Sequence, residues 1–207
     1  VANPTRKGYN FLGWTISNSV ENIADIEFVV SQQTPNYVIT TGTFGNLVFK
    51  ANWSEAITYQ ITYNLDGGSV ETENITSFTV ETETFTVNNP TKTGYTFMGW
   101  VGTGLEEATT TLTIERGSID NREYTATWGV NTYNLTFVYD NGQENKVIPY
   151  EFGAQVQAEP NPTKTGYTFA GWDKQIPTTM PAENMTITAK WTINSYTITW
   201  VVDGKTT

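Results

Sequence analysis

Two residue types are missing from this 207-residue chain, cysteine and histidine, and with them goes most of the chemistry common in proteins of this size. Without cysteine there is no disulfide framework, zinc knuckle or thiol nucleophile. Without histidine the commonest general base and metal ligand is gone, so only carboxylate, tyrosine, lysine, serine and threonine chemistry stays open. Positive charge is also scarce. Eleven Lys and Arg stand against 21 Asp and Glu, a formal charge of −10, which would repel nucleic acid and an anionic membrane surface. No apolar run approaches the roughly 20 residues that cross a bilayer, and no signal-like segment precedes Val1. If the parent protein is exported, its signal and anchor are expected outside this stretch.

What is present points to pleated sheet. Thr, Asn, Val, Tyr, Phe and Gly are abundant while the helix formers Lys and Leu are sparse, a balance that favours strands and turns over helices. Aromatics make up 14% of the chain with seven Trp, too many core-forming side chains for a disordered polymer. The expectation is a mainly β fold, α+β at most.

The chain repeats itself, and the repeats set its organisation. Asn3-Pro4-Thr5-Arg6-Lys7-Gly8-Tyr9-Asn10-Phe11-Leu12-Gly13-Trp14 returns from Asn89 to Trp100 and from Asn161 to Trp172. A second block, with a small residue two positions before Trp, closes at Ala51-Asn52-Trp53, Ala126-Thr127-Trp128 and Ala189-Lys190-Trp191. After each of these Trp residues comes a third block, at Tyr59, Tyr133 and Tyr196, so successive units are spaced by 74 and 63 residues. The variation has a place: from Gly-Trp to the closing Trp there are 39, 28 and 19 residues in the three copies, so the segment after Gly-Trp is expected to hold the variable surface element. These landmarks divide the chain into repeat 1 (1–55, without its opening strand and with a long insertion), repeat 2 (56–130), repeat 3 (131–193) and the opening strand of a truncated repeat 4 (194–207).

Each block has a physical reading. Tyr59, Ile61, Tyr63 and Leu65 alternate with polar residues, as do Tyr133, Leu135, Phe137 and Tyr139, and Tyr196, Ile198, Trp200 and Val202; this period of two marks half-buried strands. The first two end at Asp66-Gly67-Gly68 and Asp140-Asn141-Gly142, which predict hairpins into second strands around 76–80 and 144–148. The Pro-Thr-Lys-Thr-Gly block predicts a turn that launches a third strand, with Gly94 or Gly166 in the unusual backbone conformation. In that strand Trp100 falls on the face opposite Tyr95 and Phe97 unless Gly99 marks a bulge that re-aims the indole towards the core, where Ala126 would make room for it. The structural repeat core is therefore assigned to Trp14, Trp53, Trp100, Trp128, Trp172, Trp191, Tyr59, Tyr133 and Tyr196.

These blocks, in this order and over almost the whole chain, resemble the Listeria-Bacteroides repeat of bacterial surface proteins, the family that includes the internalin B-repeat. The resemblance implies a small β-grasp-like unit, ubiquitin- or SUMO-like in strand order, arrayed in multicopy stalks on the extracellular bacterial surface. It implies no catalytic residues and no cofactor. The insertion from Thr15 to Gly45 departs from the other copies; Asn18 or Ser19 could cap a short helix through Ile23 to Val30, and Phe28, Tyr37 and Phe44 are its candidate interaction residues.

Sharper functional readings compete poorly with plain ones. A sugar platform built on Trp conflicts with the repeat-equivalent placing of six of the seven on alternating strands. The Asp-Gly turns offer one or two carboxylates each, short of the six to eight oxygens calcium takes. The acidic residues Glu71, Glu73, Glu81, Glu83, Glu106 and Glu107 occur in Thr-rich stretches of one repeat and read as solvated surface. Lys92 and Lys164 on turns make poor isopeptide donors, and Asn184-Met185-Thr186 is a chance sequon. Two functions stay open: a non-catalytic stalk or spacer serving adhesion, or an adhesion module that binds a host or neighbouring-cell protein or a glycan through the variable insertions.

Short connections between closing Trp and opening Tyr, without a Gly/Ser run, predict a stiff, elongated array in which each repeat contacts its neighbours. Repeat 1 lacks an opening strand while residues 194–207 supply one with nothing of their own to cover it. Head-to-tail self-association by donor-strand pairing is one expectation; a unit that begins at Asn-Pro-Thr, complete over 1–88, is the other.

Overall fold

The computed structural model describes residues 3–18, 47–202 and 204–206. The candidate residues Phe28, Tyr37 and Phe44, and the helix considered for Ile23 to Val30, lie outside them. Two compact units are present, one of Val1–Pro90 with Met98–Thr127, the other of Thr91–Phe97 with Trp128–Thr207. The described residues are all β, with no helix, so the α+β alternative has no support among them.

In repeat 1, β1 (Phe11–Asn18) pairs antiparallel with β2 (Leu47–Trp53) as a two-stranded sheet. Repeat 2 contributes β3 (Tyr59–Asn64), β4 (Ser77–Phe78), β5 (Phe85–Thr86), β6 (Tyr95–Gly102), β7 (Thr113–Ile114) and β8 (Arg122–Val130). Four of these form a mixed sheet in the order β4-β3-β8-β6, with β3 and β8 parallel at its centre. β5 and β7 pair separately. Repeat 3 builds the same sheet from β9 (Thr132–Val138), β10 (Lys146–Glu151), β11 (Tyr167–Trp172) and β12 (Met185–Ile193), in the order β10-β9-β12-β11. Here too the central pair, β9 with β12, is parallel. Towards the C-terminus β13 (Val201–Val202) pairs with β14 (Lys205–Thr206), while residues 196–200 join no strand.

The strands expected in repeats 2 and 3 are therefore present at their expected places, with ends moved by a few residues. The half-buried strand expected over Tyr196, Ile198, Trp200 and Val202 is not: only Val201–Val202 is strand, and Tyr196, Ile198 and Trp200 are exposed, with no neighbouring strand among the described residues to cover their aromatic face. The turns behave as their composition dictates: Asp66 and Asp140 take φ of 47° and 48°, and Gly67 and Gly142 follow at 81° and 90°. Asp tolerates this left-handed region better than most residues because its short polar side chain can bond locally.

Each parallel pair is finished by an asparagine that the sequence reading passed over. Asn121 Oδ1 accepts the Gln60 amide at 2.9 Å, and Asn184 Oδ1 accepts the Asn134 amide at 2.7 Å. In both repeats the side chain replaces a backbone acceptor just before the last strand begins, so the first strand's N–H is not left unpaired. Asn184 thus has a structural role.

The core of repeat 2 is Ile61, Phe78, Val87, Trp100, Leu112, Ile114, Tyr124 and Ala126, all buried. That of repeat 3 centres on Leu135, Phe137, Met180 and Ile187, with Trp172, Tyr133 and Ile148 among the residues packed against it. Leu112, Ile114 and Met180 come from the segment after Gly-Trp. This segment is variable in length, yet its far end is not surface: it returns to pair with the stretch after the second strand, through the Val87 amide to Leu112 O in repeat 2 and the Met180 amide to Ala154 O in repeat 3, both 2.9 Å. It closes the core from the side the four-stranded sheet leaves open.

The glycine before Trp carries the local geometry. Strand register shifts between Phe11 and Gly13 and between Phe169 and Gly171, and Gly13, Gly99 and Gly171 have φ of 125°, 133° and 105°. A methyl on Gly99 would lie 2.8 Å from the backbone N of Thr109, which hydrogen-bonds across to Trp100. Gly104, at φ 73°, has open space instead. Gly99→Ala is therefore expected to destabilise by about 3 kcal/mol or more, combining backbone strain with overpacking, against about 1 kcal/mol for Gly104→Ala. Urea denaturation of both variants checks this; equal midpoints would contradict it.

Candidate functional site: the tryptophan rows and the joints between repeats

Because the bulge adds a residue, Phe and Trp three positions apart reach the same face of the sheet. Trp14 lies opposite Ala51 in register and Trp172 opposite Ala189, the small side chain giving the indole room, while Trp100 and Ala126 are both buried. The closing Trp lies further along that face against the Phe: Phe11–Trp53, Phe97–Trp128 and Phe169–Trp191 are edge-to-face at 5.6, 5.6 and 5.7 Å. Lysine completes the row. Lys92 Nζ stands 4.5 Å from the Tyr95 ring and 5.6 Å from Trp128, and Lys164 Nζ stands 4.7 Å from Tyr167 and 5.7 Å from Trp191. Of the Trp residues after Gly, Trp100 is fully buried and Trp14 and Trp172 are half-buried, while the closing Trp128 and Trp191 are half-buried and each capped by a lysine.

Tyr59 and Tyr133 are half-buried on their opening strands, with Tyr59 packed on Phe78 at 5.6 Å. Tyr196 is placed otherwise. It is 77% exposed, and its hydroxyl takes a hydrogen bond from Asn194 Nδ2 at 3.3 Å.

Asn89 of the Asn-Pro-Thr block also has a role that spacing did not show. Its Oδ1 accepts the Trp100 indole N–H at 3.0 Å while its Nδ2 donates to Thr110 O at 2.8 Å, tying the turn to the core. The corresponding nitrogen of Trp14 is buried with no hydrogen-bond partner among the described residues.

In repeat 3 a polar group on Glu159 links three segments. The Tyr139 hydroxyl donates to its Oε1 at 2.6 Å and Lys146 Nζ bonds its Oε2 at 2.7 Å. Burial, with help from this bond, pushes the Tyr139 phenol up to about 12. Burial alone would raise the Glu159 carboxyl, but the hydrogen bonds from Lys146 and Tyr139 outweigh it and hold it below its ordinary value. Tyr63 is also pushed up to about 12, first by burial and then by the neighbouring Tyr124. Among the described residues no three Asp or Glu come together as a metal site would need.

The repeats meet at the turn before the third strand. In each copy a tyrosine amide closes the turn on the carbonyl of Arg6, Lys92 or Lys164 at 3.1 Å, and the intervening Gly8, Gly94 and Gly166 have φ of 76°, 79° and 80°. The glycine's own carbonyl then accepts an amide from the connection to the next repeat: Ile57 at 2.8 Å, Asn131 at 2.9 Å and Asn194 at 2.9 Å. In the first two joints a side chain from the next repeat sits on the glycine. Val80 does so at Gly8, and Phe152 at Gly94, where it also meets Tyr95 edge-to-face at 5.8 Å.

Small, all-β units of one design, joined through a recurring contact, define a tandem-repeat protein. Its family is shown by direct comparison: the model of the Listeria-Bacteroides repeat domain matches residues 1–36, 59–118 and 133–190, and the chain belongs to that family, a repeat of bacterial surface proteins. Relatives include a protein of Evansella cellulosilytica provisionally named as a membrane protein, 28% identical over 74% of this chain and 24% of its own length. A second from that organism, provisionally named as a Gly-rich membrane protein, is 25% identical over 98% of the chain and 24% of its own length. Internalin H of Listeria monocytogenes is 38% identical over 37% of the chain and 16% of its length. The chain thus spans about a quarter or less of the relatives it matches.

Two outcomes follow from this geometry. Asn89→Ala leaves the buried Trp100 N–H unpaired and is expected to destabilise by about 1–3 kcal/mol in urea denaturation, whereas a loss near zero would remove the role assigned to Asn89. The second concerns pH. Glu159 has a lowered folded value, so its contribution is present above the ordinary carboxylate range and lost as pH falls through that folded value. Tyr63 and Tyr139 are raised from 10 to about 12, so theirs is full below pH 10 and lost as pH rises towards 12. Melting temperature should be level around neutrality, where no histidine titrates, and fall on both sides; Tyr139→Phe should soften the alkaline fall, and an unchanged alkaline limb would refute the assignment.

Proposed function

We propose that this chain is a non-catalytic spacer segment of an extracellular bacterial surface protein, one that holds an adhesive or sensing region away from the cell. The observation that carries the proposal is the recurring joint: the most repeated polar and apolar contacts of the Pro-Thr-Lys-Thr-Gly-Tyr block bind repeat to repeat. Family membership and the printed names of the relatives support placement at the bacterial surface. We further propose that each unit is a β-grasp-like repeat in which an irregular, length-variable segment stands where a helix would cross. The strand order of the four-stranded sheets, with hairpins flanking a central parallel pair, supports that reading.

A ligand-binding module is the second reading, motivated by the length of the repeat 1 insertion and its Phe28, Tyr37 and Phe44. One pair of measurements separates the two. For the spacer, deleting repeat 3 from the parent protein on living cells should reduce antibody access to an epitope on its far side, and duplicating the repeat should raise it. The purified chain should show no saturable binding to host-cell proteins or a glycan panel. Saturable binding that disappears when residues 19–45 are replaced by a short linker would overturn the spacer reading in favour of the module.

A further inference from the structure

The third joint is built on the same backbone and Asn-Thr-Tyr contacts as the second, but no side chain among the described residues sits on its glycine. In joint two the Asn131 amide bonds Gly94 O at 2.9 Å, Thr96 Oγ1 bonds Asn131 Oδ1 at 2.6 Å, and Asn131 Nδ2 reaches the Tyr133 hydroxyl at 3.4 Å. In joint three the Asn194 amide bonds Gly166 O at 2.9 Å, Thr168 Oγ1 bonds Asn194 Oδ1 at 2.6 Å, and Asn194 Nδ2 reaches the Tyr196 hydroxyl at 3.3 Å. These three polar contacts are reproduced, while joint two adds a fourth from the incoming repeat, the Phe152 amide donating to Asn131 O at 2.9 Å.

The apolar contact differs. A methyl placed on Gly8 would lie 2.2 Å from Val80 Cγ1, and one on Gly94 would lie 2.2 Å from Phe152 Cδ1. Both glycines are buried, and their tyrosines half-buried. A methyl on Gly166 would meet nothing within 4 Å, and Tyr167 is exposed. Glycine has two reasons to occupy the first two turns, positive φ and the side chain seated on it; at the third only the φ of 80° is met within the structure.

We propose that the Gly166–Tyr167 turn is a socket for one further repeat of the same kind, joined in chain order through Asn194, and that this repeat seats an aliphatic or aromatic side chain on Gly166. The knob's place is set by the two filled joints. Val80 follows the opening Tyr59 by 21 residues and Phe152 follows Tyr133 by 19, each with a glutamate beside it in sequence, Glu81 or Glu151. The occupant should therefore carry its knob about 20 residues after the Tyr196 position, next to an acid, at the turn that ends its second strand. The Asn194 contacts favour this in-line occupant over a second copy of the chain, because the connection already runs in the direction that joint two follows. The inference rests on the tandem-repeat reading and not on the spacer role, and its test involves neither cell nor ligand.

The test extends the full chain by replacing residues 196–207 with a second copy of residues 133–193, so that its Tyr133 follows Ser195 and its Phe152 is the knob. In NMR spectra of the 207-residue chain, the Gly94 α-protons should be displaced by the Phe152 ring and those of Gly166 should not. In the extended chain the Gly166 α-protons should move towards the Gly94 position, and Phe→Ala at the appended knob should return them. A Gly166 signal unmoved beside an appended repeat with dispersed, exchange-protected amides would overturn the proposal. So would a Gly166 shift that grows with concentration in the 207-residue chain, which would assign the socket to a second copy. A further measurement does not depend on the appended repeat folding: in the 207-residue chain Gly94→Ala should lower the urea midpoint clearly more than Gly166→Ala. Equal losses would remove the knob, and the proposal with it.

Discussion

In a regular strand successive side chains alternate faces, so a Phe three positions before a Trp would point away from it. The glycine bulge cancels that alternation. With the extra residue absorbed at Gly13 or Gly171, Phe11 and Trp14 come within 5.4 Å and Phe169 and Trp172 within 5.3 Å, on the face where the closing Trp also lies. The conformation needs φ well above zero, and at Gly99 it also brings the backbone of Thr109 too close for any Cβ. Glycine is the one residue that meets both demands. The rest of the repeat is arranged round the re-aimed indole, with Ala opposite it and Tyr63 against it at 5.6 Å in repeat 2.

The same economy of small residues sets the joint between repeats. A left-handed glycine turns its carbonyl towards the incoming connection and leaves bare backbone for a side chain of the next unit. One residue thereby supplies a hydrogen-bond acceptor and an apolar seat. The cation-capped tyrosine beside it, with Arg6 3.8 Å from the Tyr9 ring centre, shows why a basic residue precedes the glycine in all three copies. In an acidic chain these cations are few, and several are spent at the repeat joints.

Reading the sequence located the three blocks, the strands of repeats 2 and 3, the Asp-Gly hairpins and the Gly-Trp bulge, because each depends on a period or on a backbone demand that only certain residues meet. The period of two over Tyr196 to Val202 did not suffice for a strand where no neighbouring strand pairs with it. It missed contacts that depend on partners remote in sequence. Asn89, Asn121 and Asn184 looked like ordinary polar residues in a Thr- and Asn-rich chain, since an asparagine accepting an indole or a strand-edge amide leaves no periodic trace. Met180 and Leu112 lie in the segment read as variable surface. The alternation of Thr111, Leu112, Thr113 and Ile114 was a usable signal for the second of these. Nothing comparable surrounds Met180.

The amino-acid sequence by itself determined the recurrence of the blocks, the β character, the turns and, in repeats 2 and 3, the face each block aromatic would take once the bulge was granted. These follow from local sterics and from hydrophobic periodicity, which act over a few residues. Tertiary structure alone decided that the first and last strands of a repeat pair in parallel, that the length-variable segment returns to seal the core, and that Val80 and Phe152 belong to neighbouring turns rather than to their own sheets. Those outcomes join residues tens of positions apart. They are set by which surfaces are left unpaired after local structure has formed, a condition no short stretch of sequence contains.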